Sequence, residues 1–166
     1  MSELFFIKRI DSLGRVVIPK GIRKDLEIRE EDFLKISKFN NAILVEKHNQ
    51  LLNQKKLYTE YMKLLEIACD VSCVFTNREQ LLYSTVTGSE MKALSASFRE
   101  LISCLKVFKK NGTIKITEDL IIKGYYLVIP IFSSGVMMGS LLVYSENIIS
   151  ERTEKLGIAI VNLFDV

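Results

Sequence analysis

The spacing of apolar and polar residues changes near residue 50. Before it, short apolar runs are cut by turn residues. Leu4, Phe5, Phe6, Ile7 and Ile10 predict a strand over residues 4–10 around a basic pair. Asp11-Ser12-Leu13-Gly14 is a turn, because Asp and Ser initiate turns and Gly accepts positive φ. Arg15-Val16-Val17-Ile18 is β-branched and predicts a second strand, ended by Pro19, which has no ladder N–H to give. Ile22 and Leu26 then share one face of a short helix whose first turn suits Pro19. Residues 33–38 and 42–47 predict two more strands, with Phe39-Asn40-Asn41 as the hairpin connection. The order is β-β-α-β-β. A unit this small struggles to bury a core alone, yet it is rich in Val, Ile, Leu and Phe. Pairing with a second copy of itself is the expected remedy.

Beyond residue 50 the period lengthens. Leu57, Tyr61, Leu64, Leu65 and Ala68 recur at helical spacing with no Gly or Pro among them, predicting one long linking helix over residues 50–69. Strands follow at 72–76 and 81–85, and a helix at 89–108. Further strands are predicted at 112–116, 125–132 and 135–144, and a last helix at 151–164. Asn111-Gly112 and Ser133-Ser134-Gly135 mark turns, and Ser150 is the cap expected for the final helix. The Lys106–Lys110 run is expected to close the preceding helix, where cations favour the dipole. Strands flanked by helices imply an antiparallel sheet packed on helices, so the fold class is α+β. The domain reading is 1–50, a linking helix at 51–69, and a second domain at 70–166.

Composition changes this picture little. At 48% hydrophobic residues, the chain can pack a core. The net charge of +3 points to no partner by itself. Its distribution does: residues 7–24 hold six basic side chains, Lys8, Arg9, Arg15, Lys20, Arg23 and Lys24, against one acidic, Asp11. Such a cluster neutralises phosphates and releases counterions, and Arg can also read guanine edges. An ordinary solvated face has the same composition. The three cysteines and single histidine do not make a zinc site, and reduced thiols in a cytoplasmic protein are the expectation. No secretory signal or membrane-length apolar run is visible.

The residues themselves separate the two readings of the basic cluster. The stretch RIDSLGRVVIPKGIRKDLEIREEDFLKI closely resembles the AbrB-type DNA-binding domain, and the resemblance covers about residues 5–48. It implies a swapped-hairpin dimer, in which strands of two chains interleave into one barrel. It also implies double-stranded DNA as partner, contacted through Lys8, Arg9, Arg15, Arg23 and Lys24, with Lys20 as an added contact. The same resemblance assigns Asp11 to holding the loop, by turn hydrogen bonds or by pairing an arginine. Gly21 departs from the family, standing where a helix former is usual, which softens the short helix. Phe5 and Phe6 are bulkier than usual at this point; they fill the barrel end or pack across the linker. The linking helix and the module after it resemble the second half of a sporulation-type member of the family that carries a GAF-like domain.

The implied function is sequence-specific transcriptional regulation of sporulation or transition-state genes, in the cytoplasm and on the nucleoid. No catalytic constellation, metal cluster or phosphate loop is evident, so no enzyme activity and no cofactor are expected. GAF-like modules often bind a small-molecule effector. The candidate rings are Phe75, Tyr83, Tyr125, Tyr126 and Tyr144, with Ser84, Thr85 and Ser140 as polar partners; the competing reading is that the rings are core and surface residues. Apolar faces on residues 57–68 and 157–164 predict a dimer of dimers, a homotetramer. The alternative function is an antitoxin-like relative that neutralises a protein partner through its C-terminal region.

Overall fold

A computed structural model of the chain describes residues 5–30, 32–48, 50–86, 91–133 and 135–164. The expectations for Leu4, Ser89 and Ser134 lie outside the described residues. The fold is α+β with antiparallel sheets, and contacts within the chain divide it into two units, Met1–Asn49 and Gln50–Val166.

The first unit holds a short helix, α1 (Lys20–Asp25), and a two-stranded antiparallel hairpin of β1 (Leu34–Phe39) and β2 (Ala42–Lys47). The hairpin turns at Asn40, whose φ of 52° Asn accepts better than most residues. Residues 5–10 and 15–18, expected as strands, are not strands in the single chain. β1 and β2 pair only with each other, so no strand of the same chain lies beside either segment. Among the described residues, 5–10 and 16–18 donate and accept no backbone hydrogen bond. No described residue of this unit is buried.

The second unit is built on a five-stranded antiparallel sheet of order β4-β3-β7-β6-β5. Its strands are β3 (Ser72–Asn77), β4 (Leu81–Ser84), β5 (Phe108–Lys115), β6 (Ile121–Ser133) and β7 (Val136–Ser145). Alternation along the strands sends side chains to two cores. Phe75, Leu127, Ile129, Leu141 and Val143 meet the helices α2 (Gln50–Asn53), α3 (Lys55–Cys69) and α5 (Glu151–Asn162). Val74, Tyr126, Val128 and Leu142 face the other way, onto α4 (Ala96–Ile102) and the segment before it. The first core is pinned by rings: Tyr58 and Phe164 lie 4.0 Å apart between centroids, with Phe75 5.7 Å from Tyr58.

The long helix of residues 50–69 is interrupted at Gln54, leaving α2 and α3. Tyr58, Met62 and Leu65 are its buried face, so it packs on the sheet. The residues 57–68 stripe splits accordingly: Leu65 turns inward, while Leu57 and Leu64 stay exposed. Ser150 caps α5 as expected, its Oγ accepting from Thr153 N at 3.1 Å.

Three expectations need correction. The helix at 89–108 shrinks to α4, because Ala93 and Leu94 are claimed by bridges to Gln80 and Thr117 and Ser95 caps the helix late. Asn111-Gly112 is not a turn; Gly112 pairs with Gly124 in mid-strand. The Lys106–Lys110 run does not close a helix: Lys109 and Lys110 lie in β5, and Lys109 Nζ reaches Glu154 Oε2 at 2.7 Å. Among the described residues, no helix is long and apolar enough to cross a membrane.

Candidate nucleic-acid interface

The basic residues sit on three local structures of the first unit. Lys8 and Arg9 lie on the segment entering the 11–15 loop, Arg15 closes that loop, and Lys20, Arg23 and Lys24 are on α1. All six are exposed.

The loop is ordered by one carboxylate. Asp11 Oδ1 accepts from Leu13 N at 3.0 Å and from Arg15 N at 2.8 Å, while Oδ2 accepts from Arg15 Nε at 2.7 Å. Gly14 N donates to Asp11 O, and Gly14 sits at φ 77°, a conformation that costs glycine nothing. Asp11 N donates back to Arg15 O, which ties the strand-like segment carrying Lys8 and Arg9 beside the one carrying Arg15 and Val16. The Arg15 backbone N–H first, and then its guanidinium, hold the Asp11 carboxyl below the usual carboxylate range. The expected role of Asp11 is met in both its forms: it makes the turn and it pairs an arginine.

α1 forms despite Gly21, and it ends where Glu27 turns left-handed at φ 52°. Neither end has a side-chain cap, but Arg23 and Lys24 lie in its last turn, where the dipole favours cations. The segment after α1 is tied back to the hairpin. Lys47 Nζ donates to Glu27 O at 2.9 Å and pairs with Asp32 Oδ2 at 3.2 Å, and Asp32 Oδ2 also accepts from Arg29 N. No local sequence signal announces this tie, because its ends are up to 20 residues apart.

The same unit holds an apolar groove of about 260 Å³, lined by Phe6, Lys8, Val16, Val17, Ile18, Pro19, Ile22, Leu26, Ile28 and Val45. Phe6 therefore lines a groove within its own unit, while Phe5 is 82% exposed.

The five candidate effector rings do not converge. Phe75, Tyr83 and Tyr125 belong with the α3 and α5 side of the sheet, Tyr126 and Tyr144 with the α4 side, so they line no common pocket. Two of the tyrosine hydroxyls have internal partners: Tyr83 Oη donates to Glu66 Oε2 at 3.3 Å and Tyr144 Oη to Lys123 O at 3.0 Å. Burial, with the charge and hydrogen bond of Glu66, pushes the Tyr83 phenol up to about 12. Ser140 and Thr76 bond each other at 2.9 Å in full burial, and Thr85 Oγ1 accepts from Cys73 N.

No family model matches the chain. It is similar to stage V sporulation protein T of Bacillus subtilis (strain 168), with 31% identity over 159 residues, covering 89% of this chain and 86% of the relative. The match therefore runs through both units. At that identity and coverage, the chain belongs to the stage V sporulation protein T family.

Proposed function

We propose that the chain is a sequence-specific DNA-binding transcriptional regulator of sporulation genes. In this reading two first units interleave into one swapped-hairpin barrel. That barrel presents Lys8, Arg9, Arg15, Lys20, Arg23 and Lys24 to duplex DNA. One observation carries the reading: the first unit is apolar, basic and coreless at once. Ile7, Ile10, Val17, Ile36 and Ile43 are 92, 62, 75, 70 and 76% exposed, on a unit with no buried residue among those described. Apolar surface on that scale favours association. A second copy supplies both what covers the groove and what pairs residues 5–10 and 15–18. The family's sporulation name supports the same direction.

The second unit takes the assembly role, as a GAF-like module. Its five-stranded antiparallel sheet with helices on both faces supports that assignment. The antitoxin-like alternative, with a short unstructured tail, finds no support in a C-terminal unit that packs two cores.

Fluorescence anisotropy of a labelled duplex titrated with the full chain tests the DNA reading. Six to eight phosphate contacts give a slope of log K against log salt of about −5 to −7. Arg15→Ala weakens binding by about 1–3 kcal/mol. A flat salt dependence contradicts the reading.

A further inference from the structure

We infer that Asp11 is a positioning residue that turns Arg15 from a phosphate contact into a reader of guanine. The inference rests on the DNA-binding reading above and deepens it. Among the described residues, Arg15 alone of the six cations is engaged by a carboxylate. A cation recruited for phosphate is most useful unneutralised, because its contribution comes from charge and counterion release. An acidic side chain 2.7 Å away works against that purpose. For base reading the same neighbour is an advantage. Guanine offers N7 and O6 in the major groove, two neutral acceptors that a guanidinium meets with two parallel N–H bonds. What matters there is direction, and a long arginine side chain otherwise loses rotamer freedom on binding.

The geometry supplies direction. Asp11 Oδ2 holds Arg15 at Nε, the inner edge of the guanidinium, leaving the outer pair, Nη1 and Nη2, for a ligand. The Arg15 side chain stays 73% exposed while it is held. Asp11 is itself fixed, since its other oxygen accepts two backbone N–H groups of the same loop. The loop, the carboxylate and the guanidinium are thus joined in one presenting device. The other five cations carry no such partner among the described residues and serve the phosphates.

Asp11→Asn is the discriminating variant. Its single oxygen can keep both loop bonds, but its NH₂ then faces Arg15 Nε–H, donor against donor. Asp11→Ala is less informative, because it removes the loop bonds as well. Full-length wild-type and variant chains are used to select duplexes from a randomised pool. Affinities are then measured for the selected duplex, for a scrambled duplex, and for the selected duplex with 7-deazaguanine at each guanine in turn. The expected result is that wild type selects a guanine-containing site. Asp11→Asn loses about tenfold of the preference for it. The variant binds the scrambled duplex at least as tightly as wild type, because a negative charge has left the interface. 7-deazaguanine at the read guanine weakens wild type and leaves the variant unchanged. An equal loss on selected and scrambled duplexes overturns the inference, because it marks a merely structural loop. An unchanged preference in the variant overturns it too, as does a wild-type site without guanine or binding without preference; the DNA-binding reading survives these. A wild-type chain that binds no duplex overturns that reading, and the inference with it.

Discussion

A methyl group at residue 139 has nowhere to go. A Cβ built there would lie 2.0 Å from Thr76 O and 2.8 Å from Asn77 Cα, both main-chain atoms of β3, which pairs with β7 at this point. Backbone cannot swing aside as a long side chain does. Gly139→Ala therefore forces strands apart and is expected to destabilise the chain by about 1–3 kcal/mol, read as a lower midpoint in thermal unfolding. An unchanged midpoint would show that β3 and β7 have room to spare. This constraint was invisible in the sequence, because it depends on Asn77, the register partner 62 positions away. The role of Asp11 was legible, since an Asp two to four residues before the groups it binds is a local device. The five aromatic residues stand between these cases. Their identity marked them as candidates, but Tyr125 and Tyr126 are adjacent in one strand and so point to opposite faces.

Elements were read well where one face decides the pattern and poorly where tertiary pairing overrides it. β1, β2, β3, β7 and α5 lie within a residue or two of the expected spans. The segment 91–95 has apolar residues at helical spacing, but Ala93 and Leu94 are spent on isolated bridges to Gln80 and Thr117, just outside β4 and β5. Propensity is a weak prior against such pairing. α3 shows the other limit. Its buried face and its outward stripe both have helical period, and periodicity alone does not say which one meets the sheet. The outward stripe of Leu57, Leu64 and Ile67 is 47, 63 and 84% exposed. In our account it is the second association surface, joining two dimers. Leu64→Asp then lowers the mass measured by light scattering from four chains to two, with the thermal midpoint little changed, because Leu64 is outside the core. An unaltered mass would remove α3 from the assembly.

At the scale of the whole molecule, the two units obey different rules. The second unit has two cores, one on each side of its sheet, and needs no other chain to bury them. Among its described residues, the first unit has none. Its missing strands were the largest departure from the sequence expectation: a β-strand is a property of a pair, and no strand of the same chain lies beside these segments, so in our account a second copy supplies the partner. The apolar run Val16-Val17-Ile18 retains strand character in its side chains while making no ladder bond. Sequence pattern registers what a segment can do in its assembled state, whereas one chain's contacts register only what it can do alone. The central claim is that the assembled state is an interleaved pair. Hydrogen–deuterium exchange of the full chain, read peptide by peptide, tests this most directly. The account predicts strong protection of residues 5–10 and 16–18, which the single chain leaves without backbone hydrogen bonds among the described residues, and loss of that protection on dilution. Exchange in these segments at the rate of an unfolded chain, at every protein concentration, would contradict it.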